Sequence, residues 1–143
     1  MSQGSNRSRK PGFRWFALLI IVLSIASLTA VRPPESAGAA SEFTLRQYRA
    51  WMEQARVKYP YPQSVDKMWR VMMCESGGNS YASSPSGTYK GLFQYHNNTW
   101  KGSWNPYRTN KIWDAKAQIF ATARAWSIGM QSHWSCYYIT SGR

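Results

Sequence analysis

The sequence predicts a mainly α-helical domain with a small irregular or hairpin segment. Apolar residues recur at helical spacing over residues 45–55, 65–73 and 115–126. Residues 79–113 are instead rich in Ser, Gly, Asn, Tyr and Trp without sustained periodicity, which is typical of turns, short helical pieces and small hairpins. One small core is therefore expected within the 143-residue chain.

The first predicted helix runs from about residue 45 to residue 58. Thr44, with Gln47 three residues later, forms the pattern of a capping box at its start. The YPYP sequence at residues 59–62 ends the helix, because proline cannot continue it. We assign residues 41–63 to an accessory helix and linker.

The second and third predicted helices have clear boundary residues. Ser64 is a favoured N-cap for the second helix, which ends at the glycine pair Gly77 and Gly78. The third begins at Asp114 and ends before Gly129. A small hairpin is expected between these two helices, around the sequence SPSGTYKG.

Residues 1–40 have the pattern of a signal peptide or a membrane anchor. Four basic residues precede the apolar residues 15–31, and the small-residue segment SAGAAS follows. Seventeen helical residues span roughly 25 Å, less than the bilayer core of about 30 Å, which favours cleavage after Ala39 or Ala40. We therefore expect a secreted or cell-wall-associated bacterial protein that contacts the membrane only if this segment stays uncleaved.

The two cysteines, Cys74 and Cys136, predict a disulfide, because two thiols in a small exported domain pair more often than they bind metal. The two histidines, His96 and His133, have no ligand-like neighbours in the sequence. We expect neither a metal site nor a cofactor. His96 is expected to be a surface histidine rather than a second catalytic base.

The chain from Ser41 onward carries 13 Lys or Arg and five acidic residues, a net charge of about +8. This charge predicts an anionic partner, with a simple solvated basic surface as the alternative. An exported chain meets cell-wall polymers and lipid headgroups first, and the sequence contains no motif that reads DNA or RNA. Anionic cell-wall polymers are therefore favoured over nucleic acid.

Glu75 lies at the end of the second helix, between Val71 and Met68 on the apolar side of the helical wheel. Burial and the negative end of the helix dipole both disfavour a charged carboxylate there. We therefore predict a raised pKa for Glu75. The alternative is that Glu75 reaches solvent from a frayed helix end.

Four motifs together resemble the lysozyme-like domain of lytic transglycosylases and the related resuscitation-promoting factors. They are CESGGN at residues 74–79, SPSG at 84–87, GLFQY at 91–95 and TW at 99–100. The resemblance covers about residues 64–137 and implies a goose-type, transglycosylase-like catalytic domain over residues 64–143. The chain departs from many transglycosylases in its last long helix, which reads DAKAQIF where they have Ala-Glu-Asn.

The resemblance implies a role for five residues. Glu75 is the expected catalytic acid and base, Ser84 and Gln94 are expected near the bound sugar, and Tyr95 and Trp100 are expected to wall the cleft. The implied substrate is the peptidoglycan glycan strand, cut at the β-1,4 bond between N-acetylmuramic acid and N-acetylglucosamine. In this family the muramic acid 6-hydroxyl attacks the anomeric carbon, so the product has a 1,6-anhydro end and one glutamate is sufficient.

Two other functions remain open from the sequence. One is a muramidase that uses water, and the other is a noncatalytic cell-wall-binding or signalling module that keeps the groove. Hydrolytic glycosidases usually need a second carboxylate. Asp114 is the next acid after Glu75, and we interpret it as the N-cap of the third helix instead.

Overall fold

The computed structural model describes Met1 and residues 40–141, and that part of the chain is mainly α-helical, as predicted. Most of the predicted signal segment, residues 2–39, lies outside the described residues. In chain order the elements are α1 (Glu42–Lys58), α2 (Val65–Ser76), β1 (Tyr89–Lys90), β2 (Tyr95–His96), α3 (Asn97–Trp100), α4 (Ala115–Ser127), a 3-10 helix (Met130–His133) and α5 (Ser135–Ile139). Within the described residues, no helix combines the length and the apolar character that crossing a bilayer needs.

Helix α1 begins three residues before the predicted start. The hydroxyl of Ser41, and not that of Thr44, accepts the capping hydrogen bond, which the Thr44 N–H donates over 3.2 Å. The predicted capping box is therefore wrong. Ser41 is an equally suitable N-cap, and Glu42 then places a negative charge in the first turn, where the helix dipole favours it.

The boundaries of α2 and α4 are confirmed. Ser64 accepts a hydrogen bond from the Lys67 N–H at 3.1 Å, and Gly77 ends α2 with a φ of 63°, a left-handed conformation that favours glycine. Asp114 accepts from the Ala117 N–H at 3.0 Å. The N-cap interpretation of Asp114 is therefore confirmed.

One hydrophobic core is shared by α1, α2 and α4. Helix α1 packs against both other helices and buries Tyr48, Met52 and Ala55 in that core. Small residues on α4 allow the close approach of α1, since Ala121 and Ala125 are fully buried. The segment predicted as an accessory helix thus contributes to the same core as the rest of the described chain.

The irregular segment contains a small hairpin, as predicted, but its turn is at residues 91–94, at the end of the SPSGTYKG sequence and not in its middle. Strands β1 and β2 pair antiparallel, with Tyr89 opposite His96 and Lys90 opposite Tyr95. A further bridge joins Ser83 to Lys90 across the SPSGTYKG sequence. The 3-10 helix and α5 follow α4, and neither was predicted from the sequence.

Candidate active site

A cavity of about 530 Å³ lies between the C-terminal end of α2, the hairpin and the start of α5. Its lining combines one carboxylate, two imidazoles, hydroxyls and aromatic rings. The residues that line it are Glu75, Tyr89, Gln94, Tyr95, His96, Thr99, His133, Trp134 and Ser135. Within the described residues, the structure therefore brings Glu75 and two of the four predicted substrate-binding residues to one cavity.

Glu75 lies in the last turn of α2 and is half-buried. Burial raises the pKa of its carboxyl group above the usual range, and a hydrogen bond from the Cys136 N–H to Oε1, at 3.4 Å, lowers it by a smaller amount. The raised pKa of Glu75 agrees in direction with the sequence prediction. The left-handed cap at Gly77 ends the helix in regular geometry, so Glu75 does not extend from a frayed end.

The disulfide between Cys74 and Cys136 is present, as predicted, with a Cα–Cα distance of 5.9 Å. Cys74 lies on the exposed side of α2, and the disulfide joins α2 to α5 there. The covalent bond places the Cys136 peptide next to Glu75, because Cys74 directly precedes Glu75 in the chain. Residues 133–135, immediately before Cys136, thereby reach the cavity.

Lys67 fastens the same two helices at a second point. Its side chain is 7% exposed, and its ammonium donates hydrogen bonds to the Thr140 and Ser141 hydroxyls at 3.0 and 2.7 Å and to the Tyr137 carbonyl. These acceptors lie at the C-terminal end of α5, where a positive charge also suits the helix dipole. The Glu75 side of the cavity is thus fixed both covalently and by a buried ammonium.

Gln94 enters the cavity from the turn between β1 and β2. Its φ is +47°, a left-handed conformation that is uncommon for any residue other than glycine and that occurs at strained functional positions. Its side-chain amide donates to the Gly91 carbonyl at 2.8 Å and to the Ala82 carbonyl at 3.3 Å. The amide therefore also ties the turn to the loop that precedes the hairpin.

Tyr95 lines the cavity but is almost fully buried, and its hydroxyl hydrogen-bonds the Thr122 hydroxyl at 2.9 Å. Burial raises the pKa of this phenol, so it stays neutral at all physiological pH values. Tyr95 thus contributes a fixed wall to the cavity.

Ser84 and Trp100, predicted from the resemblance to contact the sugar or wall the cleft, do not line this cavity. The Ser84 hydroxyl accepts the Tyr89 N–H at 3.1 Å, which shapes the turn before β1. Trp100 is 1% exposed, donates to the Asn110 carbonyl and packs its ring 5.3 Å from that of Tyr95. Its ring has no free face for a ligand in this conformation, so it supports the Tyr95 wall from behind.

Six residues that line the cavity were absent from the predicted site: Tyr89, His96, Thr99, His133, Trp134 and Ser135. His96 was predicted to be a surface histidine, but it is partly buried and lines the cavity. The sequence could have indicated three of them, His133, Trp134 and Ser135, through the cysteine pair. Once Cys74 is paired with Cys136, the residues flanking Cys136 must lie close to Glu75. Tyr89 and Thr99 had no such signal: strand pairing places Tyr89 opposite His96, and Thr99 lies on α3, which directly follows β2.

Two histidines, His96 and His133, lie beside Glu75 in the cavity lining. His96 Nδ1 accepts the Asn98 N–H at 3.1 Å and caps α3, so one of its two ring nitrogens is engaged. Across the described residues, no three His, Cys, Asp or Glu side chains are grouped as a metal site would need. The carboxyl group of Glu75 and the imidazoles of His96 and His133 line one cavity.

No known protein family, curated protein or solved structure matches the chain.

Proposed function

We propose that the chain cleaves the β-1,4 bond between N-acetylmuramic acid and N-acetylglucosamine in peptidoglycan, without consuming water. The observation that carries the proposal is a half-buried Glu75 with a raised pKa, facing a cavity that Gln94 also lines. A carboxyl group of this kind keeps its proton at a pH where an ordinary glutamate has lost it. It can therefore serve as a general acid.

The site's single carboxylate favours a route in which the substrate supplies the nucleophile. Among the described residues that line the cavity, Glu75 is the one carboxylic acid, and Asp114 is used as the cap of α4. Glycosidases that use water or a covalent intermediate usually place a second carboxylate about 5–10 Å from the first. An internal sugar hydroxyl removes the need for that second group.

The proposed reaction has two steps. In the first, the Glu75 carboxyl donates its proton to the glycosidic oxygen while the bond from that oxygen to the muramic acid anomeric carbon breaks. In the second, the muramic acid 6-hydroxyl oxygen bonds to the anomeric carbon, and the Glu75 carboxylate takes the hydroxyl proton. The enzyme ends as it began, and the products are a free 4-hydroxyl and a 1,6-anhydro end.

The remaining cavity groups suit a glycan strand. Tyr89, which is 49% exposed, offers apolar ring surface to a pyranose ring, while Thr99 and Ser135 offer hydroxyls to the sugar's polar groups. Trp134 is buried and forms part of the fixed wall beside Tyr95. The Cys136 N–H near Glu75 stabilises the carboxylate that forms after proton donation. Together these groups supply the mix of flat apolar and polar surface that carbohydrates need.

The proposed fold within the mainly α class is the lysozyme-like, goose-type or transglycosylase type, in which a helix delivers the acid to a cleft. The supporting features are the Glu75 position at the C-terminal end of α2 and the short hairpin that carries Gln94 on the other wall. The proposed location is the bacterial cell wall, reached through the predicted signal segment. The basic charge of the chain suits anionic wall polymers there.

Digestion of purified peptidoglycan followed by product mass analysis tests the proposal. We expect 1,6-anhydro muropeptides from the wild type and a roughly 10²- to 10⁴-fold lower yield from Glu75→Gln, the usual range for a lost general acid. Glu53→Gln is the matched control, because Glu53 is an exposed glutamate on α1, and we expect full activity from it. Reducing ends in place of anhydro ends would identify a hydrolytic muramidase, and no products from any variant would favour a noncatalytic wall-binding module.

A further inference from the structure

Phe93, the residue before Gln94, is held at both of its backbone polar groups by distant side chains. The Phe93 N–H donates to Gln118 Oε1 at 3.0 Å, and the Phe93 carbonyl accepts from Trp134 Nε1 at 2.9 Å. Gln118 belongs to α4, and Trp134 directly precedes α5. Two elements from the C-terminal half of the chain therefore fix the backbone immediately before Gln94.

Gln118 hydrogen-bonds three backbone groups in two segments of the chain. Besides accepting from Phe93, its amide nitrogen donates to the Ile112 carbonyl and, at 3.5 Å, to the Lys90 carbonyl. The side chain is 0% exposed, so none of these groups has water as an alternative partner. A buried amide with this set of bonds strongly favours one arrangement of the segments that it joins.

The turn fits closely onto Gln118 at Gly91. A Cβ atom at Gly91 would lie 1.7 Å from Gln118 Nε2, far inside the contact distance. Gly91 also has a φ of +78°, which glycine adopts without strain. Glycine at this position thus lets the turn reach the amide.

Gln94 has to be held in its left-handed conformation by its surroundings, because that conformation is unfavourable for a residue with a side chain. Phe93 directly precedes Gln94, so the hydrogen bonds to the Phe93 backbone also fix the position of the Gln94 backbone. We propose that Gln118 is a positioning residue, which holds the turn so that Gln94 projects into the cavity that contains Glu75. The claim that Gln118 supports turnover rests on the proposed function. The claim that Gln118 holds the turn does not.

Asn105 provides a matched comparison for Gln118. It is also 0% exposed, and its amide bridges two backbone groups, donating to the Trp100 carbonyl and accepting from the Tyr107 N–H, each at 2.9 Å. Its bonds do not involve the turn at residues 91–94. Loss of either amide removes a buried hydrogen-bonded group, but only loss of Gln118 leaves the Phe93 N–H without its partner.

The test compares Gln118→Met with Asn105→Leu by the backbone amide resonance of Gln94 in ¹⁵N NMR and by kcat/KM on peptidoglycan. We expect both variants to have a lower Tm. Only Gln118→Met should shift the Gln94 resonance and lower kcat/KM, by on the order of 10- to 100-fold for a misplaced site group. An unchanged Gln94 resonance in folded Gln118→Met would overturn the proposal, as would an equal shift in Asn105→Leu.

Gln118→Glu tests the same role if Gln118→Met does not fold. A protonated glutamic acid can donate to the Ile112 carbonyl as the amide does, whereas the carboxylate cannot. The Gln94 resonance of this variant should match the wild type at low pH and depart from it as the pH rises. Failure to regain the wild-type resonance at low pH contradicts the proposal. If the wild type has no turnover, the proposed function fails, while the Gln94 resonance still decides the role of Gln118.

Discussion

The two walls of the cavity are held in position by different kinds of interaction. The Glu75 wall is a helix end that a disulfide and the Lys67 ammonium fasten to α5. The Gln94 wall is a four-residue turn with a left-handed residue, held by hydrogen bonds from buried side chains. The acid therefore lies on a covalently fixed element, while its partner wall depends on several weaker interactions that must all be present.

This difference predicts how strongly substitutions in each wall lower stability. Removal of the Cys74–Cys136 disulfide alone should strongly destabilise the Glu75 wall. Changes in the Gln94 wall should each have a moderate effect, because any single hydrogen bond contributes about 1 kcal/mol.

The largest effect on stability is expected from removal of the disulfide. Replacement of Cys74 and Cys136 by serine together should lower the free energy of unfolding by about 4 kcal/mol, given the chain-entropy value for a loop that closes over 62 residues. Urea unfolding followed by circular dichroism measures this change. Reduction of the wild type is the control and should give the same shift, whereas a loss below about 1 kcal/mol would show that the Glu75 wall does not depend on the bond.

A smaller loss is expected from Lys67→Met, which keeps the apolar stem but removes the ammonium from the end of α5. Three hydrogen-bond acceptors lose their donor, and we expect a decrease of about 2 kcal/mol in the free energy of unfolding, in the range for hydrogen bonds to charged groups. Chemical denaturation measures it. Lys111→Met, at an exposed position, should have almost no effect, and equal results for the two variants would contradict the role of Lys67.

The backbone of the Gln94 wall can be tested with a pair of substitutions at Gln94 itself. Gln94→Gly and Gln94→Ala both lose the side-chain bonds to Gly91 and Ala82, but only glycine adopts the φ of +47° without strain. We expect the glycine variant to be more stable than the alanine variant by about 1 kcal/mol. Denaturation midpoints of the two variants measure the difference, and a more stable alanine variant would mean that the turn is not left-handed in solution.

The smallest expected effect is a pH-dependent gain of stability in Glu75→Gln. Burial raises the pKa of Glu75, so its contribution to stability is complete below the ordinary glutamate range and is lost as the pH rises through the raised pKa. The glutamine variant should therefore gain in Tm over the wild type as the pH rises. Glu53→Gln, at an exposed position on α1, is the matched control, and a parallel trend in both variants would remove the evidence for a buried acid.

The Glu75 wall was largely predictable because its signals are local. Ser64, Gly77 and the apolar periodicity define α2, and its end fixes where Glu75 points. The cysteine pair then identifies the segment that is joined to α2 beside Glu75. The start of α1 shows the limit of such signals, since Ser41 and Thr44 are both acceptable caps and the sequence did not distinguish them.

The Gln94 wall was less predictable because tertiary contacts determine it. The motif with Gln94 pointed to the right turn, but the burial of Trp100 and the position of Tyr89 follow from packing and strand pairing. The role of Gln118 had no signal at all: it lies among alanines in α4, and its three backbone partners are six or more residues away in the chain. Bonds of this kind can be recognised only once the fold is known.

The most direct test of the proposed mechanism is the protonation of Glu75 compared with the pH dependence of turnover. A ¹³C NMR titration of the Glu75 carboxyl group in the wild type should give a midpoint above the usual glutamate value of about 4.3. Turnover of peptidoglycan should then fall on the alkaline side with the same midpoint, because the acid must be protonated to donate. A Glu75 midpoint at or below the usual value, or turnover that is independent of that midpoint, would contradict the assignment of Glu75 as the proton donor.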